Sequence, residues 1–333
     1  DLPIQTGVVA ATIGDLNLDN NPDIVVVREE GVEVLHRGGA AWETMASLDQ
    51  KGLTGVHVVD LDRDAVKQEH CWEADPDLIA FGAAGVLIIE NEFDDESGMR
   101  TLTKREQSGG LAGLKNVLAV LPVDFDHDGD LDLIVSAEDG MSTWLNLENW
   151  TFADHSQHSG LPPATAKIHT MVAADWDRDV AIDVLCLGEG TAGQLSNILH
   201  GRLRWEEFPD EASYLKSAKT IAVLDADANF SWDIISAGSE GVSVSTTMNP
   251  DAGVVKFTGR VSPVEEVASG ATTWDYDNDG FLDIVVWDGA ELLAIRGGPQ
   301  AQFEVREGAL KLPSNVKNCL PVDIDMDGDL DLL

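Results

Sequence analysis

The sequence is short of cysteine, tyrosine and basic residues, and each shortage excludes a class of protein. Its 333 residues include 3 Cys and 2 Tyr, and 21 Lys+Arg stand against 60 Asp+Glu, for a formal net charge of −39. Three scattered cysteines do not make a disulfide framework. So acidic a chain does not attract nucleic-acid phosphates or an anionic membrane surface. The sequence also has no apolar run of transmembrane length, no signal peptide at its start and no long amphipathic helix pattern.

The acidic residues that are present follow a repeat. Hydrophobic residues make up 44% of the chain, which is enough for a core. The pattern Asp-x-Asp-x-Asp-Gly-x-x-Asp, followed by an apolar run, recurs about every 50 residues, with an insertion at 65–76 inside the second copy. Such a period is typical of repeat architectures. We call the copies loops one to seven; they start at Asp15, Asp60, Asp124, Asp175, Asp225, Asp275 and Asp323.

The segments around each loop have the pattern of β-strands. In the third repeat, Val117–Val123 leads into the loop and Leu133–Val135 follows it, before a turn at Asp139-Gly140. Short β-branched runs between Gly and Asp residues indicate antiparallel strands. Four strands in each repeat of this length form a β-propeller blade. The sequence therefore predicts an all-β, seven-bladed β-propeller with four-stranded antiparallel blades, as one domain, at about 1–50, 51–109, 110–159, 160–210, 211–260, 261–307 and 308–333.

The seventh repeat is shorter than the others. It stops at Leu333, inside its second predicted strand, so the last blade is incomplete. An incomplete blade leaves strand edges unpaired, which native proteins avoid. We therefore expect a further C-terminal region of the same polypeptide.

The loops have the composition of a calcium site. Ca²⁺ takes 6–8 oxygen ligands from carboxylates, amides, backbone carbonyls and water. Acids at positions 1, 3 and 5 of a tight loop converge, Gly at position 6 allows a positive φ, and Asp at position 9 closes the shell. The sequence predicts up to seven Ca²⁺ ions, held by Asp15, Asn17, Asp19 and Asp23; Asp60, Asp62, Asp64 and Asp77; Asp124, Asp126, Asp128 and Asp132; Asp175, Asp177, Asp179 and Asp183; Asp225, Asp227, Asn229 and Asp233; Asp275, Asp277, Asp279 and Asp283; and Asp323, Asp325, Asp327 and Asp331.

The seven copies are not equal. Loops three, six and seven are complete and are the first candidates, and loop one follows because Asn17 can still coordinate. In loop two the fourth acid, Asp77, follows the insertion, so the chain must fold back to bring it to the first three acids. Loop four has the β-branched Val180 at position 6, where it resists a positive φ. Loop five has Phe230 at the same position. Asp and Asn also form ordinary turns. Seven in-register acidic clusters would, however, repel strongly without a cation.

The loops resemble the FG-GAP/VCBS repeats of integrin-type β-propellers, in which the loop between the first two strands of a blade binds Ca²⁺. The segments Trp144-Leu-Asn146, Thr151-Phe152-Ala-Asp154 and Gly160-Leu161-Pro162 are similar to the cartilage acidic protein/UnbV (ASPIC) family. The resemblance implies a secreted or cell-surface protein, periplasmic in a bacterium, that is not an enzyme and that continues into a C-terminal domain.

Three functions remain open at this point. The first is an extracellular interaction module that binds a protein or a glycan through loops on one face of the propeller. The second is a polysaccharide lyase or hydrolase on the same scaffold, since fold does not fix function. The third is a structural platform within a larger chain. No catalytic residues stand apart from the repeat, and Gly188-Glu-Gly190-Thr-Ala-Gly193, which matches a dinucleotide fingerprint, is interpreted as an interstrand turn without a cofactor.

Overall fold

The computed structural model describes residues 7–38, 41–67, 72–94, 99–106, 109–198, 201–289, 291–306, 310–311, 316 and 318–333. The chain divides into two compact units, the first with residues 1–157 and 323–329 and the second with residues 158–322 and 330–333. Nearly all the elements are strands, so the all-β prediction is confirmed. None of the helices in the described ranges is long and apolar enough to cross a membrane.

The first unit contains three four-stranded antiparallel sheets. Sheet one consists of β1 (Val8–Gly14), β2 (Asp23–Arg28), β3 (Gly31–Gly38) and β4 (Ala41–Asp49). Sheet two consists of β5 (Leu53–Val59), β8 (Asp77–Gly82), β9 (Gly85–Asp94) and β10 (Met99–Lys104), and β6 (Ala65–Lys67) pairs with β7 (Trp72–Ala74) as a hairpin between β5 and β8. Sheet three consists of β11 (Val117–Val123), β12 (Asp132–Ala137), β13 (Gly140–Asn146) and β14 (Phe152–Asp154), with short 3₁₀ helices at Gly109–Gly113 and Ser156–His158.

The second unit repeats this arrangement. Sheet four consists of β15 (Ile168–Ala174), β16 (Asp183–Gly188), β17 (Thr191–Asn197) and β18 (Leu203–Glu207), and sheet five of β19 (Ala218–Leu224), β20 (Asp233–Gly238), β21 (Gly241–Met248) and β22 (Lys256–Val264). Sheet six consists of β23 (Gly270–Trp274), β24 (Asp283–Trp287), β25 (Glu291–Gly298) and β26 (Gln302–Val305), and β27 (Leu310–Lys311) also pairs with β25. A last pair is β28 (Pro321–Val322) with β29 (Asp331–Leu332), and 3₁₀ helices span Ala164–Ala166 and Asp210–Ser217.

The second strand of each sheet is the most buried. In β8, β12, β16 and β20 every residue is buried, whereas the fourth strand β22 is largely exposed. Continuous apolar runs such as Leu133–Val135 suit a strand that is covered on both faces. Neighbouring sheets within a unit share these cores; for example, Val25 packs with Leu78, and Ile235 packs with Ile284.

The strand pattern positions the loops. Each of loops one to six joins the first and second strands of its sheet, and its last Asp is the first residue of the second strand. The prediction of four antiparallel strands per repeat is confirmed for the first five sheets, and the sixth has the same four strands with β27 as a fifth. Strand β11 has the predicted bounds, while β22 runs to Val264, past the expected limit at 260. Glycines 188 and 190 belong to the β16–β17 hairpin, as interpreted from the sequence.

Candidate metal sites

Backbone hydrogen bonds fold each loop around its own carboxylates. In loop three, the N–H of Gly129 donates to Oδ2 of Asp124 at 3.1 Å, that of Asp128 to Oδ1 of Asp126 at 3.2 Å, and that of Asp130 to Oδ1 of Asp128 at 3.1 Å. Loop four follows the same scheme, whereas in loop six the N–H groups of Asp279 and Gly280 both donate to Asp275 and that of Phe281 donates to Asp279. The acids at positions 1 and 5 therefore accept from the backbone in all three loops, the acid at position 3 does so in loops three and four, and each keeps lone pairs for another ligand.

The aspartate at position 9 links the loop to the sheet. Oδ1 of Asp132 accepts the backbone N–H of Asn146 at 2.9 Å, and the same bond joins Asp183 to Asn197 and Asp283 to Gly297. The side chains of Asp132 and Asp183 are about 1% exposed, and Asp283 is fully buried. The sequence assigned position 9 only to the metal shell; the structure adds a structural role, because these bonds fix the third strand to the loop.

Among the described residues, at least five loops bring three carboxylates to one point. In each, one oxygen from every acid lies within 4.8 Å of the oxygens of the other two. Position 9 belongs to the group in loops two, three and five, and position 5 in loops four and six. The groups in loops two to six are Asp60, Asp62 and Asp77; Asp124, Asp126 and Asp132; Asp175, Asp177 and Asp179; Asp225, Asp227 and Asp233; and Asp275, Asp277 and Asp279.

Several buried carboxylate oxygens in these loops have no hydrogen-bond donor. Among the residues that the structure describes, Oδ1 of Asp23, Oδ1 of Asp124, Oδ2 of Asp132, Oδ2 of Asp183 and Oδ1 of Asp227 lack a partner. A buried anionic oxygen without a donor is costly unless a cation binds it. Oxygen donors of this kind are what Ca²⁺ requires. The residues of loop three fit the cation best, because two of its three grouped acids carry such an oxygen.

The pKa values of the loop carboxyls in the absence of metal also support a cation site. Burial, together with repulsion from nearby loop carboxylates, raises the pKa of Asp132 to about 7 and that of Asp77 to about 8. Burial likewise raises the pKa of Asp23 and of Asp183 to about 7. Without a cation these carboxyls resist ionisation, and a bound cation would lower their pKa again.

The backbone of the loops takes left-handed conformations at two positions. Position 6 has a positive φ at Gly129 (97°), and also at Val180 (81°) and Phe230 (67°). Val180 adopts this geometry although a β-branched residue resists it: its N–H donates to Oδ1 of Asp175 at 3.2 Å, and its side chain is 80% exposed. Position 4 is left-handed in all seven loops, at Leu18, Arg63, His127, Arg178, Ala228, Asn278 and Met326.

Loop six differs from the other loops because an arginine lies on its acids. Nε of Arg296 is 2.8 Å from Oδ2 of Asp277, and Nη2 is 2.6 Å from Oδ2 of Asp279. Arg306 lies 3.9 Å from Asp277. A backbone N–H from Phe281 and the Arg296 guanidinium lower the pKa of Asp279. Loop six has all four predicted acids, but the guanidinium of Arg296 already supplies a positive charge beside two of them.

The remaining loops show how sequence departures are accommodated. The β6–β7 hairpin absorbs the insertion and returns Asp77, whose Oδ2 accepts the N–H of Leu61 at 3.3 Å. In loop one, Oδ1 of Asn17 accepts from Asp19 at 2.9 Å, as an aspartate does elsewhere. In loop five, Oδ1 of Asn229 accepts from Ser231 at 2.6 Å, and its Nδ2 donates to the Thr247 carbonyl at 2.6 Å.

Loop seven has the turn but lacks the buried fourth acid. Asp323 accepts the N–H groups of Asp327 and Gly328 at 3.1 and 2.9 Å. Asp331, at position 9, is exposed, whereas its counterparts in the other six loops are buried.

Two features of the sites were not found from the sequence. Asp130, at position 7 of loop three, is 5% exposed, and burial raises its pKa to about 6, so it adds a fifth acid beside the predicted four. Asn146 donates from Nδ2 to the Leu61 carbonyl of loop two at 3.0 Å, and Asn91 donates to the Leu16 carbonyl of loop one at 2.8 Å. Each bond connects the third strand of one sheet to the preceding loop.

A comparison with known protein families matches part of the repeat. A family model for the FG-GAP-like repeat matches residues 124–186, which include loops three and four. No curated protein matches the sequence. The match supports the FG-GAP resemblance over this part of the chain.

Solved structures with similar folds come from several functional classes. One is an Agrocybe aegerita lectin that recognises non-reducing terminal N-acetylglucosamine, 17% identical, with a TM-score of 0.61 over 90% of this chain and 79% of that chain. Another is Saccharomyces cerevisiae Sqt1, 10% identical, with a TM-score of 0.59 over 94% and 77%. A candidate 6-phosphogluconolactonase from Bacteroides uniformis is 11% identical, with a TM-score of 0.58 over 92% and 86%. At these identities the likeness concerns the fold alone, and it is of the β-propeller type, built of four-stranded antiparallel sheets.

Proposed function

We propose that this chain is a Ca²⁺-stabilised, non-enzymatic interaction module of the FG-GAP/VCBS type. The observation that carries the proposal is the set of buried aspartates, represented by Asp132, that begin the second strands beside two further loop acids. Their unpartnered oxygens and raised pKa are the features of a site completed by a cation. The match of the FG-GAP-like repeat to residues 124–186 supports the same function.

Calcium suits the donor set better than magnesium does. Every side-chain donor is a carboxylate or amide oxygen, and the loops offer three or four of them with room for backbone oxygens and water. Mg²⁺ demands near-ideal octahedral geometry and keeps much of its water, whereas Ca²⁺ accepts 6–8 oxygens in flexible arrangements. We assign the strongest site to loop three, and weaker ones to loops one, two, four, five and seven, with Arg296 opposing an ion in loop six.

A seven-bladed arrangement is part of the proposal. Within the first unit, Nη1 of Arg37 in β3 donates to the Ile324 carbonyl of loop seven at 3.1 Å. Arg37 lies fourteen residues after Asp23, as Asn91 lies after Asp77 and Asn146 after Asp132. The Arg37 bond thus matches those that connect sheets two and three to loops one and two. This correspondence supports the interpretation of loop seven as the loop of a seventh blade.

The calcium requirement favours an extracellular, cell-surface or, in a bacterium, periplasmic location. Extracellular Ca²⁺ modules have dissociation constants of about 10⁻⁴–10⁻³ M, so they are filled outside the cell. There, a protein or glycan partner would bind to loops on one propeller face, and nucleic acid is excluded by the charge of −39. The Agrocybe lectin shows that a similar fold can serve glycan recognition.

A calcium titration tests the proposal. Isothermal titration of the chelator-treated protein should show binding of several Ca²⁺ ions in the millimolar range or tighter, with much weaker binding of Mg²⁺. Asp126→Ala, which removes one of the three grouped acids of loop three, should remove one site, and the matched exposed change Asp139→Ala, in the β12–β13 turn, should remove none. Absence of Ca²⁺ binding would refute the metal proposal.

Catalysis is the second candidate function, raised by the likeness to the candidate lactonase. A lyase or hydrolase would release new reducing ends or unsaturated products from a polysaccharide panel. Turnover at a rate far above the uncatalysed reaction would replace the interaction-module proposal. Impaired secretion or assembly of the parent chain on deletion of this region, with no partner bound, would favour a structural platform.

A further inference from the structure

A cavity of about 720 Å³ lies between sheets four and five in the second unit, beside loop four. Its volume is within the range of about 300–1,000 Å³ that is usual for small-molecule sites. The apolar side is an aromatic cluster of Trp176, Phe208 and Phe257, with ring centroids 5.8–6.5 Å apart. Trp176 is buried and packs in the core, while Phe257 is half-buried and presents apolar surface to the cavity.

The opposite side carries a mixture of donors and acceptors. Nε2 of Gln194 donates to Oγ of Ser196 at 2.8 Å and to Oε2 of Glu206 at 3.4 Å. Arg204 pairs with Glu206, and Lys216 pairs with Glu207 at 3.1 Å. The glutamine and serine lie in β17, and the arginine and the two glutamates lie in the adjacent β18, so this wall offers both donors and acceptors. Lys216 belongs to the 3₁₀ helix that follows β18.

The combination of an apolar surface with a wall of donors and acceptors indicates which class of ligand the cavity would bind. A sugar hydroxyl both donates and accepts a hydrogen bond, so a row of hydroxyls needs amide, carboxylate and cationic partners together. The C–H face of a sugar ring needs an apolar surface opposite. A basic peptide is disfavoured because Glu206 and Glu207 already have cationic partners, and an anionic ligand is disfavoured by Asp177, Asp179 and Glu211.

One wall of the cavity is bonded to loop four. The backbone N–H of Gly253 donates to the Asp177 carbonyl at 3.0 Å, and Nδ2 of Asn249 donates to the carbonyls of Trp176 and Val254 at 3.2 and 3.1 Å. The segment between β21 and β22 is therefore held in place by the backbone of a candidate metal loop. A cation that orders loop four would therefore also order this wall of the cavity.

We propose that the cavity between sheets four and five binds a neutral saccharide, and that a cation in loop four strengthens the binding by fixing the cavity wall. The proposal deepens the proposed function and rests on it, because it names the ligand class and uses the calcium of loop four. Gln194, Glu206 and Lys256 are its polar contacts, and Phe257 is its apolar contact.

The test titrates the Ca²⁺-loaded protein with neutral oligosaccharides of N-acetylglucosamine, glucose and mannose, using saturation-transfer NMR and calorimetry. Calcium loading is established first by a separate calcium titration. Gln194→Leu and the exposed change Lys256→Met should each weaken saccharide binding at least tenfold. Gln302→Leu, an exposed glutamine in sheet six, is the matched control and should leave it unchanged.

The loop-four coupling has its own pair of variants. Asp175→Asn removes a loop-four acid that does not line the cavity, and Asp124→Asn removes the equivalent acid of loop three. Saccharide affinity should fall at least threefold in the first variant and stay constant in the second. Equal affinities in the two variants would refute the coupling.

Failure of the inference is distinguishable from failure of the proposed function. A protein that binds calcium but none of the saccharides refutes the saccharide site and leaves the calcium proposal intact. A protein that binds an Arg/Lys-rich peptide in this cavity, with the binding lost in Gln194→Leu, also refutes the saccharide site. A protein that binds no calcium refutes the proposed function itself.

Discussion

Oδ1 of Asp132 accepts the backbone N–H of Asn146 at 2.9 Å, and Oδ2 of the same carboxylate has no donor among the described residues. One oxygen therefore holds the third strand of the sheet, and the same carboxylate belongs to the acid group of loop three with Asp124 and Asp126. The Asp132 side chain therefore takes part both in the candidate metal site and in a hydrogen bond that stabilises the sheet.

Asp132→Asn separates these two roles. The amide oxygen can still accept from Asn146, while the charge that repels Asp126 and Asp130 is removed. In chelator, the free energy of unfolding of the variant should equal or exceed that of the wild type. The increase in this free energy on addition of Ca²⁺ should be smaller than in the wild type by the contribution of about one site. Urea unfolding with and without Ca²⁺ measures both quantities.

Asp132→Ala is the control for the structural role. It leaves the buried N–H of Asn146 without an acceptor, which costs about 1–3 kcal/mol in chelator as well as in Ca²⁺. If Asp132→Ala and Asp132→Asn had the same stability in chelator, the hydrogen bond would have no structural role.

Val180→Gly should stabilise the protein. A left-handed conformation costs a residue with a Cβ about 1–2 kcal/mol, and glycine avoids that cost at the expense of about 0.5–1 kcal/mol of backbone entropy. We expect a net gain of up to about 1 kcal/mol in the free energy of unfolding. Val267→Gly, at an exposed valine without a positive φ, should instead be destabilising, and a loss of stability in Val180→Gly would contradict the backbone argument.

Arg296→Ala should open loop six to calcium. The substitution removes the guanidinium from Asp277 and Asp279 and leaves their charges without a cation. The number of Ca²⁺ ions bound, measured by calorimetry, should rise by one, or the affinity of one weak site should rise about tenfold. Arg306→Ala removes a cation 3.9 Å away and should have a smaller effect. Equal calcium binding in the wild type and in Arg296→Ala would show that Arg296 does not compete.

The metal-free protein should become less stable as the pH rises. Burial raises the pKa of Asp23, Asp132 and Asp183 to about 7 and that of Asp77 to about 8, far above the ordinary value of 3.8. The folded state therefore binds more protons than the unfolded state between about pH 4 and 8. Their contribution to stability is complete below pH 4 and is lost as the pH rises through 7 to 8.

Urea midpoints in chelator at pH 5 and pH 8 test this dependence. The midpoint should be lower at pH 8, and added Ca²⁺ should stabilise the protein more at pH 8 than at pH 5, because the ion binds the ionised carboxylates. A higher midpoint at pH 8 in chelator would contradict the raised pKa values.

The repeat made most of the fold predictable from the sequence. The strands on either side of Asp124–Asp132 could be predicted because β-branched runs end at Gly and Asp, and the acid positions follow from their spacing. Three features could not be predicted. The left-handed turn at His127 has no residue-type signal, Asp130 acquires its burial from tertiary packing, and Arg296 reaches loop six from a later strand.

The positive φ of Val180 has a physical explanation. Propensity disfavours a β-branched residue at positive φ, but the hydrogen bond to Asp175 and the neighbouring turn geometry fix the loop regardless. The sequence shows the backbone preference of a single residue, whereas the conformation of the loop depends on the hydrogen bonds of all its acids.

The most direct test of the central claim is the free energy of unfolding with Ca²⁺ and with chelator at pH 7.5. At a free Ca²⁺ concentration ten times the dissociation constant, each filled site adds about 1.4 kcal/mol, so several sites should raise the urea midpoint substantially. Mg²⁺ at the same concentration should produce little of this effect. An unchanged midpoint in Ca²⁺ would contradict the account.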